Sequence, residues 1–312
     1  MTADETTEAA APPHKNPALS SIQCVAVVGL GLLGGSLGLC LRKRWPGVRV
    51  VGYARRDETV HEAVNRGIVA DGSTDPEHIL PQADLSIICI PVTAIIAFAR
   101  EHASRWRKGA IVTDVGSVKG PIVSALQPEL EPRGVHFVGS HPMAGSERSG
   151  IAHAAADLYE NAVTFVTAGK ATDTKALDAV QALWELTGAH ACLVDEARHD
   201  ALVARTSHLP HLLAALAVSV ALREKNAAQA TGAGFHDFTR IASGEPGMWQ
   251  QIFEMNRDEM LTAIDEFRQE LDEARKIIAD GHREDLGAVL THAHDERARW
   301  LENWKQQQGP QT

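Results

Sequence analysis

The sequence predicts an α/β protein whose N-terminal part forms a mostly parallel sheet and whose C-terminal part is all-helical. Between Ile22 and Asp195, short β-branched runs alternate with helical patterns, which is typical of βαβ units. After Asp195 the strand signals stop, and segments rich in Ala, Leu, Glu and Arg continue towards the C-terminus. A glycine-rich turn, GLGLLG at residues 29–34, joins the first predicted strand to the first predicted helix.

The individual elements follow from local hydrophobic periodicity. The predicted strands are 24–28, 48–53, 85–90, 110–113, 136–138, 163–167 and 191–194, and the predicted helices include 33–44, 58–65, 94–107 and 174–186. In the helical part, residues 212–222 are apolar on nearly every side, so this helix must be buried, either centrally or against a second copy of the chain. The pattern therefore favours a homodimer formed through the helical part.

Composition excludes several kinds of partner. The chain has 312 residues, 44% of them hydrophobic, and a formal charge of -10, which argues against nucleic acid or an anionic membrane as the main partner. Four irregularly spaced cysteines indicate neither a zinc site nor a disulfide framework. The N-terminus lacks the features of a secretory signal, and the apolar stretch 209–222 is too short to span a bilayer. These features predict a cytoplasmic protein without a metal.

The glycine-rich turn predicts a dinucleotide site in a Rossmann-like domain. Gly29 permits the tight turn, Gly31 lets the backbone approach a pyrophosphate, and Gly34 allows close packing of helix on strand. The helix that follows, from Leu33, offers free N–H donors and a favourable dipole to the phosphates. The alternative is a glycine turn without a ligand.

The end of the second predicted strand favours NADP over NAD. An NAD site usually has a carboxylate there, about twenty residues after the glycines, whereas this chain has Arg55 and Arg56. Two guanidiniums suit a 2′-phosphate, although they can also be solvated charges, and Asp57 can still turn inward. Pro91 and Val92 follow the strand at 85–90, at the carboxyl edge of the sheet, where we expect their backbone to line the nicotinamide side.

Two further motifs end at the same predicted edge of the sheet. DVGSVK at 114–119 follows one strand and SHPMAGSE at 140–147 follows the next. A histidine such as His141 accepts a proton near neutral pH, and a serine such as Ser117 can hold its ring or a substrate by hydrogen bonds. Taken alone, a histidine at this position is more often structural.

The motifs together resemble the prephenate/arogenate dehydrogenase family of tyrosine biosynthesis. The matching segments are GLGLLGGS at 29–36, DVGSVK at 114–119, HPMAGSE at 141–147, TSHLPH at 206–211, and GFHDFTRIAS followed by MW at 234–249. The resemblance implies a Rossmann-like dinucleotide-binding domain followed by an all-helical dimerisation domain. We accordingly expect a disordered tail at 1–20, these domains at 21–194 and 195–305, and a polar tail at 306–312.

The resemblance also implies a reaction, the oxidative decarboxylation of prephenate, arogenate or both. Hydride leaves the ring carbon that bears the 4-hydroxyl for NAD(P)+, CO2 leaves, and the ring becomes aromatic. By this resemblance His141 takes the hydroxyl proton, Ser117 helps to orient His141 and the nicotinamide, and Glu147 lies near the site entrance. An exposed surface glutamate is the alternative for Glu147.

Cationic and imidazole side chains of the helical part are candidates for substrate binding. Arg240 can clamp a carboxylate with its planar fork, and Asp237, three residues earlier, can fix its direction; a plain surface ion pair is the alternative. His208 and His211 can share a face towards the substrate, or one of them packs in a core or interface. His199 fits the family spacing, yet nine residues at 100° place it opposite His208 on an ideal helix, which makes its role doubtful.

Two other functions compete with this interpretation. A dehydrogenase of the β-hydroxyacid type shares the domain order but would be expected to carry a catalytic lysine on a helix of its second domain, and no helical lysine here has a comparable motif. The second competing function is that of a non-catalytic NADP-binding redox sensor. The presence of Ser117, His141 and Arg240 together argues against it. Prephenate and arogenate differ only in a keto or an amino group, which leaves the choice between them open.

Overall fold

A computed structural model describes residues 16–146, 148–169 and 172–308. The chain divides into two compact units, one ending at Asn256 and the other beginning at Arg257.

The first unit contains nine strands and ten helices among the described residues. The strands are β1 (Cys24–Val28), β2 (Arg49–Tyr53), β3 (Asp71–Ser73), β4 (Leu85–Ile88), β5 (Ile111–Asp114), β6 (His136–Val138), β7 (Ser140–Pro142), β8 (Val163–Thr167) and β9 (His190–Val194). The helices are α1 (Leu32–Arg44), α2 (Asp57–Asn65), α3 (Pro76–Ile79), α4 (Val92–Glu101), α5 (Gly120–Leu130), α6 (Thr174–Leu186), α7 (Glu196–Val203), α8 (Leu209–Ala221), α9 (Ala233–Thr239) and α10 (Pro246–Met255).

The main sheet is parallel throughout and has the strand order β3-β2-β1-β4-β5-β6. This is the order of a doubly wound dinucleotide-binding fold, in which ligands bind at the carboxyl edge where the strand order reverses. All five residues of β1 are buried, as expected for a central strand covered by helices on both faces. The predicted fold class, a Rossmann-like domain followed by helices, is confirmed.

A second sheet of three strands, in the order β7-β8-β9, was not predicted as a separate layer. Here β7 runs antiparallel to β8, and β8 runs parallel to β9. The sequence analysis also missed the strands β3 and β7. Both have only three residues, and neither Asp-Gly-Ser nor Ser-His-Pro carries the β-branched signal on which strand prediction depends. His141 therefore lies within a strand rather than in a loop after one.

A continuous helical stretch, residues 196–221, passes from α7 through a π turn at Ala204–His208 into α8. It is long and apolar enough to span a membrane by length and composition alone, a test that core helices also pass. Leu216 and Val220 are 50% and 62% exposed in the single chain, so this helix is not buried centrally along its whole length, and the alternative of burial against a second copy stays a prediction. Helix α10 packs on α4 of the main domain, where Ile252 joins the core.

The chain ends differ from the predicted tails. Within the predicted tail at 1–20, Pro17–Leu19 forms a 3-10 turn and Leu19 is buried in the core. Residues 1–15 lie outside the described residues. Within the predicted polar tail at 306–312, residues 306–308 continue a helix, and 309–312 lie outside the described residues.

The second unit is a pair of long helices, α11 (Arg257–Asp280) and α12 (Arg283–Gln308). The turn between them contains Gly281, whose φ of +70° lies in the left-handed region that glycine adopts without strain. An all-helical C-terminal region agrees with the sequence analysis.

Candidate active site

The turn after β1 has the geometry of a pyrophosphate-binding loop. Gly29 has a φ of +101°, and a Cβ there would clash with the carbonyl group of Cys89. A Cβ at Gly34 would clash with the carbonyl oxygen of Gly29. By contrast, a Cβ at Gly31 would meet nothing within 4 Å, so the backbone there faces open space. Helix α1 begins without a side-chain cap, which leaves its first N–H groups available to an anion.

A buried tyrosine also holds the first turn of α1 in place. The hydroxyl of Tyr159 donates a hydrogen bond of 2.7 Å to the carbonyl oxygen of Leu33. Tyr159 is fully buried, and burial raises its pKa well above its usual value, so the ring keeps this proton. The contact fixes the loop that a phosphate would approach.

At the end of β2, two guanidiniums stand exposed where a ribose-binding carboxylate would be expected. Arg55 and Arg56 are both exposed, and neither makes an ion pair with any residue that the structure describes. Asp57 lies in the first turn of α2, where its carboxylate accepts a hydrogen bond of 3.1 Å from the hydroxyl of Thr74. The Asp57 carboxylate is therefore hydrogen-bonded to Thr74.

The turn after β4 also reaches the carboxyl edge. The N–H group of Cys89 donates to the carbonyl of Val28 at 2.6 Å, which holds this segment beside the glycine turn. Pro91 is exposed and caps α4, and Val92 is buried beneath it. The two residues follow directly on Cys89 and Ile90, whose atoms lie against Gly29, and their place on the nicotinamide side stays a prediction.

His141 is held at this edge by a buried ion pair that the sequence analysis did not recognise. Lys119 and Asp114, both fully buried, pair with each other, and the Lys119 ammonium also donates to the carbonyl of Ser140 at 2.8 Å. The Ser140 N–H donates to Asp114 Oδ1 at 3.2 Å, and the Ser140 hydroxyl donates to the Asp114 carbonyl at 2.6 Å. Through Asp114 and Lys119, the motif DVGSVK thus fixes the position of Ser140, which directly precedes His141.

His141 continues into a chain of hydrogen bonds through His199 to Asp200. The Nδ1 atom of His141 lies 2.9 Å from Nε2 of His199, and Nδ1 of His199 lies 2.7 Å from Oδ1 of Asp200. The Asp200 carboxylate accepts the backbone N–H groups of Lys119 and Gly120, both at 2.8 Å. An acceptor carboxylate at one end sets the direction of every proton in the chain.

The geometric ground for doubting His199, an ideal helix between it and His208, does not hold, because a π turn lies between them. The N–H of Leu209 donates to the carbonyl of Ala204, five residues earlier, so the backbone is wound more loosely here than in an α-helix. Residues in this turn advance by less than 100° each, which brings His208 round towards the side of His199. His199 is fully buried and contributes to lowering the pKa of His208, as expected for neighbouring rings.

The ring of His141 is neutral, with one nitrogen free. Burial, together with His199, Lys119 and His208, lowers its pKa well below 6.5. The hydrogen bond to His199 uses Nδ1, while Nε2 has no partner among the described residues and is not one of the buried unpartnered atoms. Ser117, in the motif that fixes Ser140, is half-buried, but no hydrogen bond joins it to His141 in the described structure, contrary to the predicted contact.

His208 and His211 lie buried beside a tryptophan. His211 stacks on Trp249 with ring centroids 3.6 Å apart, and His208 meets the same ring edge-on at 6.2 Å. The Nδ2 atom of Asn256 lies 3.1 Å from Nδ1 of His208. Nε2 of His208 and Nδ1 of His211 are buried and have no partner among the described residues. Two buried imidazole nitrogens are thus without a hydrogen-bond partner in the described part of the chain.

These buried neutral histidines predict a loss of stability in acid. Burial lowers the pKa of His208 from 6.5 to about 4, so the unfolded chain takes up a proton at a pH where the folded chain does not. The free energy of unfolding should therefore fall as the pH drops from about 6.5 to about 4. We expect urea midpoints to decline across this window and His208→Gln to flatten part of the decline. Equal slopes in both proteins would contradict this assignment.

Arg240 lies on a turn that packs beside His211. Its guanidinium is exposed and has no ion-pair partner among the described residues. Asp237 instead pairs with His236 at 3.4 Å, so the predicted Asp237–Arg240 contact is absent from the described structure. Four residues after Arg240, a Cβ on Gly244 would meet the His211 ring at 3.0 Å, so glycine permits this close approach. Glu147 lies outside the described residues.

Comparisons with known proteins agree with this geometry. Two family models match the chain: "Prephenate dehydrogenase, nucleotide-binding domain" over residues 37–193, and "Prephenate dehydrogenase, dimerization domain" over residues 195–292. A prephenate dehydrogenase from Bacillus subtilis is 34% identical over 278 residues, covering 88% of this chain and 75% of that protein.

Solved structures show the same likeness. Prephenate dehydrogenase from Aquifex aeolicus, in complex with hydroxyphenyl propionate and NAD+, is 33% identical with a TM-score of 0.84 and covers 89% of this chain and 98% of its own. Synechocystis arogenate dehydrogenase is 30% identical with a TM-score of 0.79 and covers 89% of this chain and 99% of its own. The chain belongs to the prephenate dehydrogenase family and is an NAD(P)-dependent oxidoreductase.

Proposed function

We propose that the chain oxidatively decarboxylates prephenate, arogenate or both, with hydride transfer to NAD(P)+. The observation that carries this proposal is the hydrogen-bonded chain from His141 through His199 to Asp200. It ends in a free ring nitrogen close to the edge of the sheet that carries the glycine turn. The relatives named above support the same reaction class.

The residues around the glycine turn fit a dinucleotide. The open space before Gly31 and the uncapped start of α1 suit a pyrophosphate, with Gly29, Leu33 and Gly34 shaping the turn. We infer that the backbone at Pro91 and Val92 lines the nicotinamide side. When bound, the nicotinamide ring accepts the hydride.

We infer that His141 acts as the general base. The Asp200 carboxylate accepts a proton from Nδ1 of His199, so Nε2 of His199 accepts from Nδ1–H of His141. The lone pair of His141 therefore lies on Nε2, ready to take the proton of the substrate hydroxyl as hydride leaves. Asp200 then stabilises the positive charge that develops on the imidazole pair. Ser117 is proposed to help to orient the nicotinamide, the part of its predicted role that does not depend on a contact with His141.

We infer that the anionic groups of the substrate are bound by the helical part. The exposed guanidinium of Arg240 can hold a carboxylate in two parallel hydrogen bonds. His208 and His211 offer the two buried unpartnered nitrogens described above. Glu147 remains a proposed residue at the site entrance, on the basis of the sequence motif.

We propose a preference for NADP, supported by the unpaired Arg55 and Arg56. Replacing both with alanine should raise the Kd of NADP about tenfold or more and leave that of NAD nearly unchanged, because only NADP carries the 2′-phosphate. Titration calorimetry with each coenzyme measures this difference. The double change Arg42→Ala and Lys43→Ala, at the other end of α1, removes the same charge as a control. Equal losses for both coenzymes would refute the assignment.

We propose that the chain works as a homodimer, as the description of its C-terminal family model suggests. Leu216 and Val220 on α8 and Phe238 on α9 are each at least half exposed in the single chain. Burying such residues against a second copy removes apolar surface from water. Sedimentation equilibrium should give a dimer that Val220→Asp weakens; a monomer at micromolar concentration would contradict the proposal.

The function itself is tested by absorbance at 340 nm, with prephenate and arogenate each offered with NAD and NADP. Turnover with any pair supports the proposal and fixes both preferences. A folded protein that is silent with all four pairs would refute it.

A further inference from the structure

The arrangement around His208 assigns its proton to one ring nitrogen. Asn256 ends helix α10 and is only 4% exposed. Its Nδ2 atom lies 3.0 Å from the carbonyl oxygen of Asp200 and 3.1 Å from Nδ1 of His208. Asn256 therefore joins the π turn that carries His208 to the residue that ends the His141 chain.

The chemistry of these groups leaves one assignment of the protons. A backbone carbonyl only accepts hydrogen bonds, so the group of Asn256 that faces Asp200 must be the NH2 group. The second hydrogen of that NH2 group points at Nδ1 of His208, which must then be an acceptor. Burial keeps the ring neutral by lowering its pKa to about 4. The single proton of His208 is therefore on Nε2.

This proton is a buried donor without an acceptor. His208 is 1% exposed, and its Nε2 atom has no hydrogen-bond partner among the residues described. A buried unpaired donor is costly, so such a group in a folded protein calls for an explanation. A ligand oxygen that accepts this hydrogen bond supplies one.

We propose that Asn256 is a positioning residue that fixes His208 as a hydrogen-bond donor, through Nε2–H, to an anionic oxygen of the substrate. The inference rests on the proposed function, because it places the substrate beside His141. The two histidines then have opposite tautomers. His141 presents a lone pair on Nε2 to a group that loses a proton, and His208 presents an N–H to a group that stays an acceptor.

Asp200 sets both tautomers, which links the two histidines. Its carboxylate accepts from His199 and so directs the proton of His141 to Nδ1. Its backbone carbonyl accepts from Asn256 and so directs the proton of His208 to Nε2. One residue on α7 thereby determines which nitrogen accepts and which donates.

The first test reads the tautomer directly and does not depend on turnover. In the 15N-labelled full-length protein at pH 7.5, long-range 15N–1H spectra should show His208 protonated at Nε2 and unprotonated at Nδ1. Resonances are assigned with His208→Gln. In Asn256→Asp, the carboxylate accepts from Nδ1–H, and the proton should move to Nδ1. A wild-type His208 protonated at Nδ1 would overturn the proposal, even if the chain proved to catalyse another reaction.

The second test measures the consequence for substrate binding. Asn256→Asp should raise KM for the accepted substrate by about 10- to 100-fold, since a donor is lost and a lone pair faces an anion, while the coenzyme Kd changes less than twofold. Asn65→Asp, an exposed position at the end of α2, is the matched control.

A rescue experiment distinguishes this role from simple structural damage. The amide NH2 of glutamine can stand near the position of the imidazole Nε2 and donates whatever residue 256 is. The double variant Asn256→Asp, His208→Gln should therefore bind substrate at least fivefold better than Asn256→Asp alone. If Asn256→Asp does not fold, the wild-type tautomer decides the first point and His208→Gln, compared with His208→Leu, decides the second. Equal KM values for those two variants would overturn the donor role.

Discussion

Replacing His141 with asparagine is expected to lower kcat by about 10^2- to 10^4-fold, the range typical of losing a general base. Asparagine keeps a polar group near Nδ1, so the hydrogen bond to His199 can survive. It has nothing at the position of Nε2, the ring nitrogen of His141 for which the described residues provide no hydrogen-bond partner. The proton of the substrate hydroxyl then has no acceptor when hydride leaves.

Coenzyme binding distinguishes this loss from general damage. His141 lies in β7, outside the glycine turn, so the Kd of the coenzyme should change less than threefold in calorimetry. His190→Asn, at the exposed start of β9, makes the same chemical change away from the hydrogen-bonded chain and should keep normal turnover. Turnover of His141→Asn near that of the wild type, in a folded protein, would remove His141 from the mechanism.

Replacing Asp200 with asparagine is the second large effect that we expect, a fall in kcat of the order of 10^2-fold or more. The carboxylate accepts three hydrogen bonds, from the N–H groups of Lys119 and Gly120 and from His199. An amide has only one acceptor oxygen, so at least one of these donors meets an NH2 group. If that donor is His199, the His141 chain reverses its protons and Nε2 of His141 is no longer the free lone pair. The negative charge that stabilises a protonated imidazole pair is lost in either case.

The decisive measurement combines pre-steady-state kinetics with a stability control. Asp200→Asn should slow the hydride-transfer step seen in stopped-flow absorbance, while the coenzyme Kd stays close to that of the wild type. Asp178→Asn, exposed on α6, controls for the loss of charge. If Asp200→Asn is too unstable to measure, His199→Phe interrupts the same chain without removing the carboxylate. A hydride-transfer rate within threefold of the wild type in either folded variant would refute the role proposed for the hydrogen-bonded chain from His141 to Asp200.

The buried ion pair between Asp114 and Lys119 gives the first and last residues of the motif DVGSVK a structural role. A charged pair that is fully buried is strongly destabilising to break, because the remaining charge has no water around it. Here both partners also bind Ser140, the residue before His141. The motif thus connects the ends of two strands at the point where the ring proposed as the general base must be positioned relative to the coenzyme.

Local sequence patterns were sufficient for the nucleotide-binding half. The turn depends at Gly29 on a positive φ and at Gly34 on a close contact that only glycine allows, and these requirements appear directly in the sequence. The order of strands and helices, and the switch to helices after β9, follow from hydrophobic periodicity. The short strands β3 and β7 escaped because three residues carry too little pattern.

The sequence by itself determined the fold class and the glycine turn and predicted a role for His141, because each depends on neighbouring residues or on a motif. Only the tertiary structure decided the partners of His141. His199 is 58 residues away, and its direction depends on a π turn that an ideal helix does not contain. Asp200 and Asn256 carried no signal at all, because a hydrogen-bond acceptor or donor acquires its role only when folding buries the three histidines and these two side chains together.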